Sequence, residues 1–219
     1  MKSLSAALKQ YGVVVLAFIH IGFGRGLHGT FGVFFVAFLD AFGWTRAVTA
    51  GALSLSIIVE GIFHPVVGTL TDRLGGRKTL VLGGVVLAVG LACSATISSV
   101  WQFYFWVGIV SAAGISLIGM VPHVAIISRH YASRKATALG IAWAGGGVGI
   151  FLLVPATAAM ISRWGWPSAY VGLAVVVVIL VIPAVLFLLP ANHVQSNTQT
   201  SGAHEIKSDK HEAQEGDWT

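Results

Sequence analysis

The sequence predicts an all-α transmembrane protein: a six-helix bundle over residues 1–190, followed by a polar segment over 191–219. Three observations predict it. Charged residues make up only 10% of the 219-residue chain and apolar residues 56%, whereas a soluble domain carries roughly 25% charged residues to cover its surface. Six stretches reach the length of about 20 mostly apolar residues that a bilayer crossing needs. The cations gather in the short segments between those stretches, more on one side than on the other.

The first stretch runs from Tyr11 to Phe38. It is too long for a signal peptide, and no small-residue cleavage site ends it before Asp40. The second spans Ala47 to Leu70 and the third Thr79 to Ile97. The one cysteine, Cys93, lies inside that third run, so it cannot form an intrachain disulfide and reads as a packing residue. The fourth stretch spans Trp101 to Ile127 and holds Pro122 and His123 near its end, where the missing backbone donor of proline favours a kink. The fifth spans Ala136 to Ile161 and carries Gly140, Gly145, Gly146, Gly147 and Gly149. Gly145 and Gly149 share a helix face and are expected to serve close helix packing or a sliding surface. The sixth, Ser168 to Leu189, is solidly apolar, which argues against the alternating pattern of a β-barrel strand.

Lys2, Lys9, Arg73, Arg77, Lys78, Arg129, Arg134 and Lys135 fall on one side of these crossings, Arg46 and Arg163 on the other. The positive-inside rule then predicts a multi-pass protein of the cell membrane with both termini in the cytoplasm. Trp44, Trp101, Trp164 and Trp166 fall at the predicted outer ends, where an aromatic belt belongs. Cations so distributed read as topology signals, not as a nucleic-acid-binding stripe. After Pro190 the chain turns polar and mixed in charge, as a solvated tail does. His204 and His211 within it are too far apart to suggest a metal site.

The segment GTLTDRLGGRK, Gly68 to Lys78, must reverse the chain between the second and third helices. Gly75 and Gly76 permit tight backbone geometry. Asp72 is expected to accept backbone hydrogen bonds or pair with Arg73 or Arg77, and Gly68 to let the helix end pack closely. A plain basic turn would account for the same residues. The spacing Gly68, Asp72, Arg73, Gly75, Arg77, Lys78 resembles the signature loop of the major facilitator superfamily. That resemblance implies a conformational role, latching two bundles at the cytoplasmic face, and no contact with substrate. GVFFVAFLDAFGWTRA (Gly32 to Ala47), SRHYASRKATALGIAWAGGGVG (Ser128 to Gly149) and RWGWPSAY (Arg163 to Tyr170) resemble segments of monocarboxylate and oxalate/formate-type members. The resemblance covers residues 11 to 190 and implies the amino-terminal half of a twelve-helix fold, with the polar tail as the start of the central loop. It also marks a departure. The lysine that some monocarboxylate transporters carry in helix one is absent, and neither Arg25 nor His28 matches it residue for residue.

Arg25 lies near the middle of the first helix, where an arginine costs about 2.5–3.5 kcal/mol on insertion scales. It must face a cavity or a partner, and Glu60, near the middle of the second helix, is the expected partner. Arg25 either offers its fork to a carboxylate substrate or is committed to Glu60 and holds the bundle. Glu60 is alternatively a proton carrier. His28, one turn beyond Arg25, is expected to line a cavity, while His20 and His64 are expected to make internal hydrogen bonds. No metal set, P-loop or catalytic constellation is present, so no cofactor and no enzyme activity are expected. The leading expectation is secondary transport of a small monocarboxylate or dicarboxylate by symport or antiport. It would work by alternating access against a second six-helix bundle, with protons as a further candidate ligand and the bilayer as solvent. The competing expectation is a non-transporting truncated or regulatory membrane subunit.

Overall fold

The computed structural model describes residues 2–131 and 134–189, with the backbone alone for 2–10 and 130. The polar segment from 191 onward, with His204 and His211, lies outside the described residues. Every regular element described is helical, and the architecture is that of a multi-spanning membrane bundle.

Five helical stretches are long and apolar enough to cross a membrane, against the six expected. They are α1 (Lys2–Phe42, apolar from Tyr11), α2 (Arg46–Leu74), α3 (Gly76–Ser94), α4 (Val100–Arg129) and a last stretch from Lys135 to Leu188. The difference from the expected number lies in that last stretch. Its 54 residues would measure about 80 Å as one straight helix, against about 30 Å of hydrocarbon. It is not straight. Gly165 has φ 79° and ψ 166°, a conformation that glycine alone adopts readily. Beyond it the chain folds back, because a Cβ placed on Gly172 would strike the methyl end of Met160. An unbroken helix would hold those residues about 18 Å apart. The two legs are denoted α5 (135–164) and α6 (166–188).

The helix ends are set by local chemistry. Thr45 caps α2, its hydroxyl oxygen accepting from the Val48 N–H at 3.3 Å. Ser99 caps α4 the same way through Gln102 N–H at 3.4 Å, and the Gln102 side-chain oxygen accepts from Ser98 N–H at 2.9 Å. Gly75, at φ 83°, ends α2 and begins α3; its N–H donates to Thr71 O at 3.1 Å, and its carbonyl accepts from the Thr79 hydroxyl at 3.2 Å. These caps satisfy backbone groups that the helix ends would otherwise leave open.

Glycine decides the tightest crossing. Cβ atoms on Gly145 and Gly149 of α5 would collide with the backbone carbonyls of Phe18 and Gly22 on α1. Gly22 and Gly26 meet the Gly145 and Gly149 carbonyls in return, at 2.8 and 2.7 Å for a built Cβ. Small residues on both helices therefore bring the two backbones together. Around this seam the core is apolar, with Leu16, Phe34, Phe38, Leu80, Leu87, Phe103 and Val181 buried. The outside is apolar too: Ile57, Ile62, Val66, Phe151, Ile179 and Phe187 are all exposed. A surface this apolar needs lipid or another helix bundle against it.

One end of the bundle is aromatic. Phe38 lies 4.7 Å from Phe103, 5.1 Å from Trp166 and 6.0 Å from Trp44 by ring centroids, and Phe34 stacks on Tyr170 at 4.0 Å. Of the four tryptophans expected in an interfacial belt, only Trp101 and Trp164 are exposed there, at 83% and 64%. Trp44 and Trp166 pack on phenylalanine rings instead, Trp44 on Phe42 at 4.4 Å and Trp166 on Phe38 at 5.1 Å.

Candidate functional site

The glycines of α1 that clear the way for α5 leave its polar side chains on the remaining faces. His28 and Glu60 meet across α1 and α2, with Nε2 to Oε1 at 2.7 Å and side chains 25% and 18% exposed. The other ring nitrogen of His28, Nδ1, donates to Gly24 O at 3.1 Å, one turn back along α1. The expected pairing of Glu60 with Arg25 is therefore not formed. Arg25 points elsewhere around the helix. Its aliphatic stem runs beside Gly146 of α5, 3.2 Å from a built Cβ. Its side chain is exposed, and among the described residues it forms no ion pair. A mid-helix cation is thus presented to the side that α1 and α5 leave open.

Beside His28 lies a small, partly open cavity of about 50 Å³ between α1, α2 and α4, lined also by Leu91 and Tyr170. Its walls are mainly apolar: Leu27, Phe31, Leu53, Val107 and Ile115. Three hydroxyls interrupt them. Thr30 donates to Leu27 O at 2.7 Å and Ser56 to Leu53 O at 2.8 Å, so each keeps only acceptor capacity. Ser111 Oγ is buried and has no partner. It closes a π-helical turn, Tyr104–Ser111, a distortion frequent at functional sites. It faces Gly90, where a Cβ would sit 2.7 Å from its oxygen. These hydroxyls were not singled out from the sequence, although serine and threonine within apolar runs were the available signal.

His20 and His123 lie elsewhere, packed edge to face at 5.1 Å between ring centroids. His20 Nε2 donates to Val181 O at 3.0 Å and His123 Nδ1 to Gly119 O at 2.6 Å. The expected internal bond of His20 is present, but its Nδ1 is left without a partner. His64 is exposed on α2, so its expected internal bond is not made. The kink expected at Pro122 falls earlier, at Gly119, where φ −77° and ψ −153° interrupt α4.

The loop between α2 and α3 forms a second centre at the opposite end from the aromatic cluster. Asp72 accepts from Arg129 of α4 at 3.2 Å, not from Arg73 or Arg77. Arg77 donates to Leu186 O of α6 at 3.3 Å. Arg73 and Lys78 are exposed and form no ion pair among the described residues. Gly68 packs loosely, with Val121 at 3.9 Å from a built Cβ. The loop thus ties α2 to α4 and α3 to α6.

The family model described as Major Facilitator Superfamily matches residues 13–213. Monocarboxylate transporter 13 of Rattus norvegicus is 30% identical over 157 residues, covering 72% of this chain and 36% of that protein. Monocarboxylate transporter 11 of Homo sapiens is 29% identical over 178 residues, covering 81% and 37%. Monocarboxylate transporter 7 of Homo sapiens is 28% identical over 165 residues, covering 74% and 31%. The chain spans about a third of the length of these curated relatives.

Proposed function

The chain belongs to the Major Facilitator Superfamily, whose members are transporters and not enzymes, and from that premise we propose that it forms one six-crossing half of a secondary transporter for a small organic anion. The reversal at Gly165 separates the fifth crossing from the sixth. The basic end, with Arg73, Arg77, Lys78, Arg129 and Arg134, faces the cytoplasm under the positive-inside rule, and both termini lie on that side. The second half is a further six-helix bundle, in the same longer protein or as a partner. The polar segment 191–219 is a cytoplasmic tail or the start of the central loop between the halves.

One observation carries the choice of cargo. Arg25 stands exposed at the middle of a transmembrane helix with no ion pair among the described residues. A cation at that depth is costly unless it meets water or an anion, and a guanidinium offers a carboxylate two parallel hydrogen bonds. The name of the relatives, monocarboxylate transporters, supports the same class. The cavity beside His28 gives the organic part of such an acid an apolar wall. Alternating access then consists of the two bundles rocking about this midplane site, with the loop Gly68 to Lys78 holding the cytoplasmic side. Symport with protons and exchange of anions are both open to this arrangement.

Uptake of isotopically labelled carboxylates into proteoliposomes, with this chain reconstituted beside a second bundle, tests the proposal. Saturable uptake of at least one monocarboxylate or dicarboxylate, and none of the matching amide, is expected. Equal uptake of acid and amide would remove the anion from the account.

A further inference from the structure

The His28–Glu60 contact has a proton count fixed by geometry. Nδ1 of His28 faces a backbone carbonyl, Gly24 O, which can only accept, so Nδ1 carries a hydrogen. Nε2 then meets Glu60 Oε1 at 2.7 Å with one proton between the two atoms. Either the imidazolium holds it opposite a carboxylate, or a neutral imidazole accepts it from a carboxylic acid. Without that proton a nitrogen lone pair would face carboxylate lone pairs, and the contact would part.

We propose that Glu60 is a built-in competitor for the anion site: its carboxylate occupies the His28 ring nitrogen that a cargo carboxylate takes over on binding, releasing α2 from α1. This rests on the organic-anion reading above. The exchange balances. A cargo carboxylate needs an N–H donor, so the proton stays on His28 and Glu60 departs as an anion. Arg25 lies three residues from His28, within side-chain reach on the helix surface. Arg25, His28 and Glu60 together hold one net positive charge before the exchange, and the incoming monoanion neutralises it. A neutral solute cannot drive the step, because it offers no acceptor strong enough to replace a carboxylate on a charged donor. Selection for anions therefore comes from the competition as well as from Arg25.

The surroundings leave few other groups to confuse the exchange. On α1 the charged neighbour is Arg25. On α2 the next titratable side chain is His64, one turn beyond Glu60 and exposed. From α3, α4 and α6 the cavity receives only Leu91, residues of the segment 107–115 and Tyr170, of which Tyr170 alone is titratable. From α5, Gly146 approaches Arg25 with no ionisable side chain.

The test measures propionate binding to the native 219-residue chain and to Glu60→Ala in lipid nanodiscs, with methyl propionate as the neutral probe. At about pH 5.5, Glu60→Ala is expected to bind propionate about tenfold more tightly than the native chain, the effect of losing a competitor held by a charge-assisted hydrogen bond. Equal or weaker binding by Glu60→Ala at that pH would overturn the competition and leave the organic-anion reading standing. Absence of propionate binding by both proteins would overturn both. Should Glu60→Ala fail to fold, nitrogen-15 histidine spectra of the native chain decide, with His28 assigned by His28→Gln. Propionate but not methyl propionate is expected to shift the His28 Nε2 resonance, and an unmoved resonance overturns the proposal.

Discussion

At the scale of single residues, depth was legible and partnership was not. Arg25 and Glu60 both sit mid-helix by simple counting along the sequence. Which of Arg25 and His28 meets Glu60 depends on helix rotation. The two differ by three residues, about 60° around the axis at 3.6 residues per turn, and only the crossing of α1 with α2 decides between them. The crossing selected His28. Arg25 is left for the open side, so Arg25→Ala should leave folding intact and reduce carboxylate uptake by at least about tenfold, the loss of one charged hydrogen-bonding group. Thermal unfolding in detergent beside the uptake assay checks both halves of that statement. A second residue-scale prediction concerns Tyr104, whose hydroxyl donates to Val48 O at 2.8 Å across the α2–α4 contact. Tyr104→Phe should cost about 0.5–1.5 kcal/mol in a denaturant titration, with no change in anion selectivity, because Tyr104 is outside the cavity wall.

At the scale of elements, the apolar runs marked where the long helices lie, although α1 begins at Lys2, ahead of the apolar run that starts at Tyr11. The irregularities were not legible. The π-helical turns in α4 and α6 and the break at Gly119 answer to tertiary packing, which leaves no local periodic trace. The glycines of helix five show the same division. The sequence marked Gly145 and Gly149 as sharing a face, but not that α1 is the helix they meet. Gly149→Ala should destabilise the bundle by about 1–3 kcal/mol, since its methyl meets backbone that cannot move aside. Gly147→Ala should be near neutral, because nothing lies within 4 Å of a Cβ there. Paired unfolding curves of the two variants test the crossing directly. The loop between α2 and α3 makes the opposite case. Asp72 and Arg129 are 69% and 52% exposed, so their pair contributes only about 0–1 kcal/mol. Asp72→Asn should therefore leave unfolding unchanged while slowing uptake. A lowered melting temperature with normal uptake would make the loop a structural turn and no latch.

At the scale of the whole molecule, the account depends on lipid surrounding the exposed apolar faces and on the chain crossing it at every long helix, with Gly165 turning it back. Composition alone foretold a membrane protein. The break in hydropathy around Arg163 separated the fifth run from the sixth, but it did not reveal that a single residue, Gly165, turns the chain back. The proposed orientation rests on the cations, and the two ends of the bundle differ: Arg73, Arg77 and Arg129 lie at one, the aromatic rings at the other. The most direct measurement is side-specific thiol labelling in intact cells, on a Cys93→Ser background, with single cysteines introduced as Arg73→Cys and Trp164→Cys. Both positions are exposed in the bundle. A membrane-impermeant reagent added outside should label position 164 and reach position 73 only after the membrane is opened. Labelling of both positions from the same side would contradict the six-crossing bundle, and with it the midplane site and the transport built upon it.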